Sequence, residues 1–171
     1  MLSRGDAAPD VTAPMATPEA AARTERGGYT SDDVAEFDLA DALADGPVVL
    51  AFYPGVFSRT CTKELCRLRD WRADLSDLDV PLYGVSADTP WSLLAFIDEY
   101  GVDYPLVSGF NSDVIAGFGV RREGGVLAGI ADRAVFVIDP GGTVTYTWRA
   151  TEPLTFPDTD AVEAAVAEAA E

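Results

Sequence analysis

The chain has 171 residues, and 48% of them are hydrophobic, which suits one folded domain with its own core. Its 29 acidic and 12 basic residues give a net charge of −17, which argues against nucleic acid as a partner because phosphate contacts need clustered Lys and Arg. No apolar run approaches the roughly 20 residues of a membrane-spanning helix. Residues 1–30 carry no apolar core of a signal peptide, so we expect a soluble, cytoplasmic protein.

The sequence of the first half of the chain predicts a polar connecting segment, a strand and a helix. Residues 14–33 are rich in Ala, Pro and Thr, and they predict a polar insertion. The apolar run 48–53 predicts a short buried strand, which Pro54 ends. Apolar residues at three- and four-residue steps predict an amphipathic helix over 62–78, with Ser58 or Thr60 as its cap.

The second half predicts strands and helices in alternation. In order they are a strand over 81–86, a helix opened by Asp88-Thr89-Pro90 and closed by Gly101, a short helix over 111–118, a hairpin over 134–148, and a helix over 158–171. This order predicts an α/β fold with a central mixed β-sheet and helices on both faces. We expect a single domain over residues 1–171, with no internal repeat.

The residues able to carry chemistry are few. The chain has two cysteines, Cys61 and Cys66, and no histidine. A structural zinc site needs four Cys or His ligands, and a secreted disulfide scaffold carries more cysteines, so neither is expected. The absence of histidine excludes Cys–His and Ser–His catalysis within this chain. We expect no metal and no cofactor.

Cys61 occupies a position that favours a reactive thiolate. The strand over 48–53 leads into a loop that delivers Cys61 to the first turn of a helix. Free backbone N–H groups and the positive end of the helix dipole favour the thiolate there, and Arg59 or a distant arginine could add to the effect. The alternative is that Cys61 is one more buried core residue.

Cys66 lies five residues after Cys61 in the same predicted helix. In an intact helix their Cα atoms are about 8–9 Å apart, whereas a disulfide needs about 4.4–6.8 Å. A bond between them therefore requires the first helical turns to unwind. The alternative is a core role for Cys66. The spacing also differs from the Cys-x-x-Cys of thioredoxin-type oxidoreductases.

The chain resembles the peroxiredoxins. The family pattern Pro-x3-Thr/Ser-x2-Cys is matched by Pro54, Ser58 and Cys61, and Cys-x4-Cys resembles the bacterioferritin-comigratory (PrxQ-like) branch. Arg133, which precedes an apolar strand, takes the place of the family's catalytic arginine. Serine replaces the usual threonine, and Arg59 stands where this branch usually has proline.

The resemblance implies a thioredoxin-like fold and a thiol peroxidase mechanism. Cys61 would attack a hydroperoxide and become a sulfenic acid, and Cys66 would then close an intramolecular disulfide. Arg133 would stabilise the developing charge, Ser58 would orient the peroxide, and Pro54 would shield the pocket from water. Thioredoxin or a similar dithiol would reduce the disulfide. We expect a monomer or weak dimer.

Two other functions stay open at this point. The same oxidation could serve a peroxide-responsive redox sensor or interaction protein. The enzyme could also be a one-cysteine peroxidase in which Cys66 is structural. Fast peroxide turnover with a regenerating reductant separates an enzyme from a sensor.

The charge pattern suggests a host with a salt-rich cytoplasm. The acidic residues are dispersed, and Lys63 is the only lysine. At molar salt the Debye length falls to about 3 Å, which screens the self-repulsion of such a surface. We therefore expect a halophilic organism, although a role in solubility alone would give a similar surface.

Overall fold

The computed structural model describes residues 1–23, 28–74, 81–152 and 154–171. Within them, seven strands form one mixed sheet: β1 (Thr12–Ala16), β2 (Ala35–Asp38), β3 (Val48–Phe52), β4 (Leu82–Ser86), β5 (Leu106–Ser108), β6 (Ala134–Ile138) and β7 (Val144–Arg149). Their order across the sheet is β2-β1-β5-β4-β3-β6-β7. The central strands β5, β4 and β3 pair in parallel. The other four pairs, β2 with β1, β1 with β5, β3 with β6, and β6 with β7, are antiparallel.

The described helices are α1 (Pro18–Arg23), α2 (Leu39–Leu43), α3 (Arg59–Asp74), α4 (Pro90–Tyr100), α5 (Val114–Gly117) and α6 (Thr159–Ala169). Side chains alternate along β3, so Val49 and Ala51 enter one hydrophobic core, and Leu50 and Phe52 enter the other. Residues of α1, α3, α4 and α6 belong to the first core, and those of α2 and α5 to the second. The predicted mixed sheet with helices on both faces is confirmed.

Residues 14–33 differ from the polar connection expected there. Their described part contains the end of β1, helix α1, and one turn of 3-10 helix at Ser31–Asp33. Met15 and Ala16 pair with β5, and Ala20 is buried against the first core. The apolar residues of this segment are small and lie among Pro and Thr, so the sequence does not predict their burial. The status of the segment as an insertion stays a prediction.

Other elements match the predictions with changed ends. The strand at 48–53, the hairpin and the C-terminal helix are confirmed. Helix α3 begins at Arg59 instead of Thr62, and its predicted apolar positions Leu75 and Leu78 lie outside the described residues. The short helix expected over 111–118 covers only Val114–Gly117. None of the described helices has the length and apolar character needed to cross a membrane.

Candidate active site

The register of the central strands determines what lies beside Cys61. Strand β6 runs antiparallel to β3, and its first residue Ala134 pairs with the last residue of β3, Phe52. Tyr53 follows Phe52, and Arg133 precedes Ala134. These two residues therefore lie at the same end of the sheet. Tyr53 is fully buried, and burial raises the pKa of its phenol above the usual value. This end of the sheet receives the first turn of α3.

Ser58 caps the start of α3. Its hydroxyl oxygen accepts a hydrogen bond from the backbone N–H of Cys61 at 3.4 Å, and its carbonyl accepts from the N–H of Thr62 at 2.9 Å. Cys61 is thus the third residue of the helix, within the turn where backbone N–H groups have no partner inside the helix. Of the two caps considered, Ser58 is the one that caps, and the positive end of the helix lies at Cys61.

Arg133 contacts the thiol directly. Its Nη2 lies 3.4 Å from Cys61 Sγ, and its Nη1 donates to the carboxylate of Glu64. Cys61 is 1% exposed, and the Arg133 and Glu64 side chains are 9% and 2% exposed. The guanidinium therefore contacts both the sulfur and the Glu64 carboxylate in a site largely removed from water. The predicted proximity of Arg133 to Cys61 is present in the structure.

Glu64 is a site residue that the sequence analysis missed as such. It lies one helical turn after Cys61 and holds the guanidinium of Arg133 from the other side. Its second oxygen, Oε1, is buried without a hydrogen-bond partner among the described residues. Removing one partner of a buried ion pair typically costs about 3–5 kcal/mol, so Glu64 and Arg133 depend on each other. The available signal was its spacing of three residues from Cys61, which places both side chains on one face of the helix.

Asp88 holds the loop between β3 and α3. Its Oδ2 accepts hydrogen bonds from the Val56 N–H at 2.9 Å and from the Ser86 hydroxyl at 2.7 Å. The predicted opening of α4 at Asp88-Thr89-Pro90 is present, with Thr89 as the N-cap residue, and the Asp88 carboxylate faces the loop. Phe57 in this loop has a φ of 63°, a left-handed conformation that is unfavourable for a residue with a side chain.

Cys66 is the eighth residue of the same helix, at the start of its third turn. Both cysteines are free thiols, and Cys66 is half-buried. The helix is continuous over both, so the separation of about 8–9 Å expected for residues five apart applies. The hydroxyl of Tyr104 donates to the carbonyl of Leu65, next to Cys66, at 2.9 Å. Burial, with smaller contributions from Tyr53 and Cys66, raises the pKa of Tyr104 well above its ordinary value, so the phenol stays a donor.

The predicted site residues are brought together to different degrees. Cys61, Ser58 and Arg133 are in hydrogen-bond contact with one another through Cys61. Pro54 is half-buried where the chain leaves Tyr53, and its shielding role stays a prediction. Cys66 is not bonded to Cys61. Among the described residues, no group of three or more Cys, His, Asp or Glu side chains could hold a metal ion.

The chain is similar to known proteins over most of its length. Residues 4–147 match the model of the AhpC/TSA family. A relative from Mycobacterium tuberculosis, named as a peroxiredoxin, is 38% identical over 122 residues, which are 64% of this chain and 78% of the relative. A relative from Coxiella burnetii, also named as a peroxiredoxin, is 32% identical over 120 residues, which are 68% of this chain and 79% of the relative.

Solved structures agree with the same grouping. The peroxidoxin BcpB of Mycobacterium tuberculosis superposes with a TM-score of 0.73 at 28% identity, covering 99% of this chain and 97% of that one. AhpC of the same organism superposes with a TM-score of 0.79 at 18% identity, covering 98% of this chain and 92% of that one, which concerns the fold alone. The chain therefore belongs to the AhpC/TSA family and is a peroxiredoxin, an enzyme that reduces peroxides with a thiol.

Proposed function

We propose that Cys61 is the nucleophile that attacks the peroxide and that Cys66 resolves it within the same chain. The observation that carries this proposal is the 3.4 Å contact between Arg133 Nη2 and Cys61 Sγ at the start of α3. The Cys61 thiolate attacks the terminal oxygen of a hydroperoxide, and the O–O bond breaks. The sulfur becomes a sulfenic acid, and the leaving oxygen takes a proton to give water or an alcohol. Hydrogen peroxide and organic hydroperoxides are both substrates in this proposal.

The residues around the sulfur have separate roles in this step. Arg133 carries a positive charge that stabilises the thiolate and the negative charge developing along the O–O bond. Ser58 is close enough to Cys61 for its hydroxyl to orient the peroxide, since it already accepts from the Cys61 N–H. Pro54 limits the access of water to this end of the sheet. Glu64 keeps the guanidinium in place.

The second step joins the two sulfurs of α3. The Cys66 thiol attacks the Cys61 sulfenic acid, a disulfide forms, and water leaves. About 8–9 Å between the Cα atoms is too long for a disulfide, so the first turns of α3 unwind before this step. A thioredoxin or a similar dithiol then reduces the disulfide by exchange and is itself oxidised. Because both sulfurs belong to one chain, a monomer or weak dimer in the cytoplasm completes the cycle.

Replacing Cys61 with Ser tests this assignment. We expect peroxide consumption with thioredoxin as donor to be abolished, because the described residues offer no other thiol beside Arg133. Cys66→Ser is the matched variant: its Cys61 sulfenic acid should persist, react with a dimedone-type reagent, and over-oxidise under excess peroxide. Appreciable thiol-dependent turnover in Cys61→Ser would contradict the role of Cys61. Continued turnover with Cys66 reduced would make this a one-cysteine enzyme.

Arg133 gives a second prediction. Arg133→Met should slow single-turnover oxidation of Cys61 by hydrogen peroxide on the order of 100-fold, because a charged donor to the reacting atoms is lost. The double variant Arg133→Met/Glu64→Gln controls for the buried carboxylate that the single variant leaves without its partner. Cys61 should be oxidised equally slowly in both variants, while the double variant should be the more stable to urea. An unchanged oxidation rate in both would assign Arg133 a structural role only.

Tyr104 gives a prediction about the second step. Tyr104→Phe removes the hydroxyl that holds the Leu65 carbonyl and should accelerate disulfide formation about 2- to 10-fold, the equivalent of one hydrogen bond. Oxidation of Cys61 by peroxide should not change, and less sulfinic acid should form at high peroxide. Tyr29→Phe is the control, because its hydroxyl binds the Leu94 carbonyl away from α3. Equal disulfide formation rates in wild type and Tyr104→Phe would contradict the prediction.

A further inference from the structure

The basic residues of this acidic chain are concentrated on the helix that carries both cysteines. Of the 12 Lys and Arg residues in the chain, five lie in the 16 residues of α3, namely Arg59, Lys63, Arg67, Arg69 and Arg72. The first turn of α3 contains no acidic residue, although the chain has 29 of them. Acidic residues are favourable at a helix N-terminus and basic ones are unfavourable there. The local sequence of α3 therefore opposes what helix stability alone would favour.

Three of these residues form an exposed row, which we call the basic stripe: Arg59, Lys63 and Arg67. They are spaced by four residues, so they lie on one face of the helix, and like charges at this spacing repel by about 0.2–0.5 kcal/mol per pair. None of the three forms a salt bridge with a described residue. Arg67 lies over the Phe156 ring at 4.7 Å, which fixes that end of the stripe.

The basic stripe faces the side of Cys66 and not that of Cys61. At about 100° per residue, Cys61 projects roughly 160° from Lys63, and Cys66 projects roughly 60° from it. This agrees with the burial of Cys61 and the partial exposure of Cys66. The stripe therefore lies on the wrong side of the helix to act on a peroxide at Cys61. It borders the sulfur that a second protein can approach.

We propose that the basic stripe is the docking surface for an acidic dithiol protein, the reductant of the Cys61–Cys66 disulfide. This inference rests on the proposed function. In the disulfide form the first turns of α3 are unwound, but each residue of the basic stripe still lies within two positions of Cys61 or Cys66 in the sequence, so its charge stays beside the disulfide. At low salt the net charge of −17 repels an acidic protein from most approaches, so the stripe selects the approach to the sulfurs. At molar salt only ion pairs in direct contact with the stripe keep this selectivity.

The docked reductant reacts by thiol–disulfide exchange. Its thiolate attacks Cys66 Sγ, the bond to Cys61 breaks, and Cys61 leaves as a thiolate that Arg133 can again stabilise. The second thiol of the reductant then attacks the mixed disulfide, releases Cys66, and leaves the reductant with a disulfide of its own. Two electrons pass from the reductant to the peroxiredoxin, and no further co-reactant is needed.

Matched charge reversals test the docking surface. The variant Arg59→Glu/Lys63→Glu changes two charges in the basic stripe, and Arg4→Glu/Arg23→Glu makes the same change at exposed sites elsewhere. Each protein is oxidised with one equivalent of peroxide and then reduced, in a stopped-flow instrument, by an acidic thioredoxin or by dithiothreitol. We expect reduction by thioredoxin to fall at least about tenfold in the stripe variant, the equivalent of about 1.4 kcal/mol, and little in the control. Dithiothreitol attacks as a small thiolate with a single charge, so its rate should change much less between the three proteins than the thioredoxin rate does.

Salt dependence adds a second readout. Raising KCl should slow reduction of the wild type by thioredoxin and narrow its difference from the stripe variant, because exposed charge pairs are screened. Equal thioredoxin rates in the two variants would overturn the proposal, as would a parallel loss of the dithiothreitol rate. If the wild type self-associates and the stripe variant does not, the surface binds a second copy of this chain. That result would also overturn the proposal. Failure of peroxide to produce any Cys61–Cys66 disulfide would instead overturn the proposed function and this inference together.

Discussion

The contact of the Arg133 guanidinium with Cys61 on one side and Glu64 on the other is the interaction on which the rest of the site depends. It requires β6 beside β3 in the register that pairs Phe52 with Ala134, because only then does Arg133 reach the start of α3. It also requires an intact first turn of α3, since Cys61 and Glu64 are one turn apart. The buried cation and the buried carboxylate offset each other, where either one alone would be unfavourable.

The same helix must meet two opposed requirements in the proposed cycle. Attack on a peroxide needs α3 folded, with its N-terminal N–H groups and Arg133 directed at Cys61, whereas disulfide formation needs its first turns unwound. The structure contains groups that favour each state. Tyr104 and the Ser58 cap hold the helix, while the repulsion within the basic stripe and the absence of acidic residues in the first turn weaken it. The balance between them sets how long a sulfenic acid at Cys61 survives.

Local patterns predicted much of the site, and long-range contacts explain what they missed. Cys61 and Ser58 could be placed because a cap and the first helical turn depend on neighbours in sequence. Glu64 lies 69 positions from Arg133 in the sequence, and Asp88 lies 32 positions from Val56, so no periodicity reports these pairs. Strands β1, β2 and β5 were missed because each is short and carries at most two large apolar residues, so pairing in the sheet stabilises them more than their own composition does. Arg133 was found through resemblance to a family, not from its local sequence.

Direct identification of the bond formed after oxidation tests the central claim, that α3 carries a complete redox pair. The reduced protein is treated with one equivalent of hydrogen peroxide, its remaining thiols are blocked, and its peptides are separated without reduction and analysed by mass spectrometry. We expect a single chain in which a peptide containing Cys61 is joined to one containing Cys66, with the loss of two hydrogens and no blocked thiol. A disulfide between two chains, or a blocked Cys66 beside an oxidised Cys61, would contradict it.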